Sequence, residues 1–95
     1  MEDLDLARRL KRLHRTVLML ETELRHGHFD EELLNEVDAQ LEDGIATEPR
    51  SLALRDQVDA LRENTLTPGG NMFTDTIRAC EKLKDAIQHI LDSLG

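Results

Sequence analysis

The 95-residue chain has no tryptophan, no tyrosine, two phenylalanines, two prolines, five glycines and one cysteine. Each scarcity excludes something. With Phe29 and Phe73 as the only aromatic rings, a core has to be built from Leu, Ile, Val, Ala and Met, which suits helices packed on helices better than a sandwich of sheets. Single-stranded nucleic acid finds no aromatic platform on which to stack its bases. The lone cysteine, Cys80, cannot close an internal disulfide and fits a reducing compartment. No apolar run approaches the length of about 18 residues that a membrane span needs. The acidic start Met1-Glu2-Asp3 lacks the basic region and apolar stretch of a secretory signal, so the expected location is cytoplasmic with no membrane contact.

Charge is plentiful but unevenly placed. Charged residues make up 34% of the chain against 39% hydrophobic, too apolar a balance for a disordered segment. The net charge of −8 divides into +1 for residues 1–27 and −9 for residues 28–95. A polyanion could therefore sit only on the first segment, and nucleic acid is not the expected partner. The length fits one domain over residues 1–95, burying about 60% of its unfolded surface.

What is present is helical periodicity. Leu6, Leu10, Leu13, Val17, Leu20 and Leu24 recur at spacings of four and three, a heptad seam that predicts a helix over about 3–26, roughly 36 Å long. Asp3 or Asp5 is placed to cap it, Glu21 and Arg25 form an i, i+4 pair, and Gly27 ends it. Asp30 reads as the N-cap of a second helix over about 31–43, with Phe29 and Leu34 at the two positions of a hydrophobic staple and Leu33, Leu34, Val37 and Leu41 buried. Gly44 ends it.

Thr47-Glu48-Pro49 starts a third helix, about 48–63, which buries Leu52, Leu54, Val58 and Leu61 and stops at Asn64. The break Thr65-Leu66-Thr67-Pro68-Gly69-Gly70 follows. Asn71 then caps a fourth helix over about 72–94, whose Phe73, Cys80, Ile87 and Leu94 fall seven apart with Leu83 and Ile90 between them. The expected fold is all-α: an antiparallel bundle of two long helices flanking two shorter ones.

The residues that could carry chemistry do not assemble into a recognisable site. His26-Gly27-His28 offers two imidazoles to a metal, but no Cys or His cluster completes four ligands. His14 lacks the lysine and glycine that follow the acceptor of histidine phosphotransfer domains. The arginines of the first helix face outward, unlike the interior cations of the small helical chorismate mutases. Pro68-Gly69-Gly70 lacks the Lys and Ser/Thr of a phosphate loop. No catalytic residue, metal or cofactor is expected, and the chain reads as non-enzymatic.

The remaining feature is a surface. Arg8, Lys11, Arg12 and Arg15 occupy outer heptad positions, and one turn further on Leu18 and Met19 take outer positions where a helix buried on one side only should be polar. This strip fits an acidic amphipathic helix of another protein. If the two middle helices run antiparallel, each covers part of a long seam and a homodimer is expected; if they form one bent arm, a monomer is. The expectation is a protein–protein interaction module of the adaptor, regulator or small-chaperone kind that self-associates through its long helices. The alternative is a nucleic-acid-binding regulator using the same basic face.

Overall fold

A computed structural model describes residues 2–66 and 71–94. Among them the chain is all-α and contains no strand. Helix α1 spans Asp3–Arg25, α2 Glu31–Gln40, α3 Leu52–Leu66 and α4 Met72–Leu94.

The ends of α1 and α2 follow local chemistry. Glu2 takes the N-cap position of α1 without a side-chain cap bond, so Asp3 and Asp5, expected as caps, lie inside the first turn and interact with the positive end of the helix instead. Gly27 adopts φ 81, the left-handed conformation that closes the last turn. The Asp30 carboxylate accepts hydrogen bonds from the backbone N–H of Glu32 at 3.0 Å and Leu33 at 3.3 Å, as its N-cap position requires. Phe29 packs half-buried against the core that contains Leu34.

The helix expected to run on to residue 43 becomes irregular after Gln40. Leu41–Ile45 continues as a wide turn in which Asp43 (φ −81, ψ 58) and Gly44 (φ 92, ψ −19) leave helical geometry. The detour buries Leu41, Ile45 and Ala46 against the rest of the core. Pro49–Ser51 forms a 3-10 turn, opened by the Glu48 side chain accepting from the Arg50 backbone N–H at 3.3 Å. Leu52, expected in the core, is 57% exposed because it lies two residues from buried Leu54, on the opposite face of α3. At its other end α3 passes through Asn64 and Thr65 to Leu66; Asn64 is no stop, and its amide donates to the Asp75 carbonyl of α4 at 3.3 Å. The expected turn at Thr67-Pro68-Gly69-Gly70 lies outside the described residues. The Asn71 carbonyl accepts from the Asp75 N–H at 2.9 Å and opens α4.

Cross-helix pairs fix the topology. Arg9 meets Asp43 at 2.8 Å, which sets α2 antiparallel to α1. Arg62 pairs with Asp38, which turns α3 back along α2. Asn64 with Asp75 sets α4 antiparallel to α3, and Lys84 with Glu21 at 2.9 Å and Arg25 with Glu81 at 2.6 Å lay α4 antiparallel to α1. The result is an up-down-up-down bundle, 42 Å long and 20 Å across.

The six seam residues of α1 are all buried, each at 0–2% exposure, and they meet Leu34, Val37, Leu41, Ile45, Leu54, Val58, Leu61, Cys80, Leu83 and Ile87. Each such side chain contributes roughly 1.5–3 kcal/mol of transfer free energy. The short middle helices thus do not leave the α1 seam uncovered, although they run antiparallel. Leu41, Ile45 and Ala46, on either side of the bend at Asp43 and Gly44, join the core and extend its cover beyond α2. Phe73, at the first seam position of α4, is 37% exposed, and Leu33, Ile90 and Leu94 are half-buried.

Candidate functional site

The outer face of α1 is defined by what its inner face is doing. Because Leu6 to Leu24 point inward, residues offset by roughly half a helical turn point outward. Arg8, Lys11, Arg12 and Arg15 are all exposed, and Leu18 and Met19 are 43% and 49% exposed. The fold brings these six together on one surface, as the periodicity predicts.

Acidic outsides on α2 and α3 do not neutralise this strip. Asp43 pairs with Arg9, on the flank toward α2. Arg50, beyond the bend, pairs with Asp3 at 2.6 Å and Glu48 at 3.0 Å. Among the described residues Arg8, Lys11, Arg12 and Arg15 make no ion pair. A small cleft of about 200 Å³ collects Arg8, Arg9, Arg12, Asp5 and Asp43, so the α2 side of the strip borders two carboxylates while remaining cationic.

On the other side α1 faces α4. There the buried Glu21 carboxylate holds Lys84 at 2.9 Å and Arg25 at 3.2 Å, and Arg25 reaches Glu81 at 2.6 Å. Hydrogen bonding to Glu21 comes first among the causes that raise the Arg25 pKa above its ordinary value. The i, i+4 pair was legible from spacing; that Glu21 would be buried and share its charge with α4 was not, because nothing local specifies which helix lies alongside. Further along the same side a groove of about 560 Å³ opens between the helices, lined by Leu4, Ala7, Lys11 and His14 of α1 and by Gln88, Leu91 and Asp92 of α4. Leu4 is 62% exposed, an apolar residue outside the heptad seam.

Candidates for chemistry are scattered. His26 takes the C-cap position of α1, and the His28 N–H donates to the Glu23 carbonyl at 2.9 Å. Among the described residues no three His, Cys, Asp or Glu side chains gather as metal ligands. Cys80 is fully buried, and desolvation first, then the Glu21 charge, pushes its thiol up to about 12. A thiol so protonated has little nucleophilic character at neutral pH. No helix among the described residues is long and apolar enough to cross a membrane. The arrangement as a whole is a helical bundle presenting a cationic, partly apolar face, and comparison with protein families, curated proteins and solved structures finds no match to the chain.

Proposed function

We propose that the chain is a non-enzymatic protein–protein interaction module, of the adaptor, regulator or small-chaperone kind, that self-associates through α1 and α4 and docks an acidic amphipathic helix on the outer face of α1. The observation that carries this is the exposed set Arg8, Lys11, Arg12 and Arg15, without ion pairs among the described residues, beside exposed Leu18 and Met19. Cations spaced three and four apart along a helix match carboxylates repeating at the same spacing on a helix lying beside it. Apolar groups at one end of the strip supply the burial that surface ion pairs alone do not.

The test compares the partners retained from the native source by wild type, by Met19→Asp and by Arg8→Glu with Arg12→Glu, each confirmed as folded by circular dichroism. A specific partner held by the wild type is expected to be lost from both variants. Identical partner sets from all three proteins would remove the docking role. For self-association, light scattering is expected to give twice the chain mass.

A further inference from the structure

The α1–α4 side of the bundle carries opposite charge on its two halves. On α1, Lys11 and Arg15 stand four apart and exposed, with Leu18 following at the next helical spacing. On α4, Glu81, Asp85, Gln88 and Asp92 recur at spacings of four, three and four and form one ridge. The Arg25–Glu81 pair at 2.6 Å places that ridge beside α1. Gln88 donates to Asp92 at 2.9 Å within it, and both line the groove shared with Lys11. Neither Asp85 nor Asp92 makes an ion pair among the described residues. In the groove between the two ridges Leu4 stands exposed, beside half-buried Leu91 and Leu94.

We propose that a second copy of this chain seats on this face, in a two-fold dimer whose axis runs parallel to the helices. Lys11 and Arg15 of each copy then lie over the Asp85–Asp92 ridge of the other. An interface between identical subunits related by a two-fold must be complementary to itself. Rotation about an axis parallel to the helices exchanges the two sides of the face and preserves height, so α1 lands on α4, cation on anion. Rotation about an axis in the same plane but across the helices lays α1 on α1, and like charges meet.

Preserved height also brings the Leu4, Leu91 and Leu94 cluster against its own copy, removing apolar surface from water. The bundle is 42 Å long and 20 Å wide. One side therefore offers on the order of 800 Å², the share that each partner gives to an interface of standard size. Arg8 and Arg12 border the cleft with Asp43, on the α2 side of α1, and Met19 lies seven residues beyond Arg12 on the same flank. Arg12 and Met19, the strip residues turned furthest from α4, stay clear of the second copy and accessible to a docked helix, while Arg8, seven residues before Arg15, lies at the edge of the dimer face.

The inference rests on the self-association proposed above, and sedimentation equilibrium separates the two. Wild type is expected to be a dimer, at loading concentrations up to about 200 µM, with an association that weakens as salt rises. Lys11→Glu with Arg15→Glu, and separately Asp85→Lys with Asp92→Lys, are each expected to dimerise at least about tenfold more weakly. An equimolar mixture of the two variants restores a heterodimer, because both ridges are then matched again. A monomeric wild type would overturn self-association and this geometry together. A wild-type dimer indifferent to both reversals, or a mixture that stays monomeric, would overturn the geometry alone. All four positions concern exposed or groove-lining side chains, and thermal melts confirm folding; Lys11→Gln with Arg15→Gln gives a milder variant expected to weaken the dimer in the same direction.

Discussion

Cys80 shows how a single side chain is decided by its surroundings. Its seam position on α4 was readable from the heptad, and full burial follows from Leu and Ile neighbours in the same core. Because burial raises the thiol from 9.0 to about 12, the native state holds the Cys80 proton where the unfolded chain releases it. Stability is therefore complete below the unfolded value and falls as pH rises through the interval between the two. Thermal melts of wild type and Cys80→Ala should show an extra alkaline loss in the wild type alone; parallel pH profiles would contradict the burial. Glu21 is the complementary case. The spacing to Arg25 was visible, but its burial and its pairing with Lys84 depend on a residue 63 positions away that only packing brings near.

At the level of elements, apolar spacing located the helices, whereas their ends were decided by backbone details. Asp30 caps α2 because a carboxylate there reaches two otherwise unpartnered N–H groups, a rule that operates within four residues. Asn64 misled because it stays within α3, where its side-chain amide donates to the Asp75 carbonyl of α4. Leu52 misled because it stands two residues, about 200° around the helix, from Leu54, so the stripe of Leu54, Val58 and Leu61 continues back through buried Ser51 and leaves Leu52 outside. Gly44 was correctly marked as a stop, yet its larger role is to let residues 41–46 fold back over the core. With φ at 92, Gly44→Ala is expected to cost about 1 kcal/mol or more, lowering the melting temperature by about 4–8 °C for a domain of this size. An unchanged melting temperature would mean that the bend tolerates a side chain.

At the level of the whole molecule, the distribution of charge limits the partners. Most of the surface carries the −9 of residues 28–95, and the cationic strip on α1 is one narrow exception. Random-sequence DNA or RNA is therefore expected to give no mobility shift at low salt, since each phosphate neutralised on α1 faces repulsion from the remaining helices. A shift that disappears with Arg8→Glu and Arg12→Glu would instead favour a nucleic-acid role. An antiparallel bundle was the expected fold, but the break at Gly44–Pro49 left open whether the two middle helices run antiparallel or as one bent arm, and packing decided for antiparallel. The expectation that antiparallel middle helices leave part of a long seam uncovered did not hold for α1, because Ile45 and Ala46, in the connection between them, also join the core.

The sequence alone determined that this chain is a bundle of helices, which residues of α1 face inward, and that Arg8, Lys11, Arg12, Arg15, Leu18 and Met19 share an outer surface. These follow from periodicity within one helix, a local property. Only the tertiary structure decided which helix lies against which flank, that Glu21 joins Lys84 and Arg25, that residues 41–46 cover the seam, and that an acidic ridge on α4 borders the cations of α1. Those outcomes depend on contacts between residues tens of positions apart. Helical spacing gives each helix its buried face, while the long-range packing of the bundle chooses its neighbours.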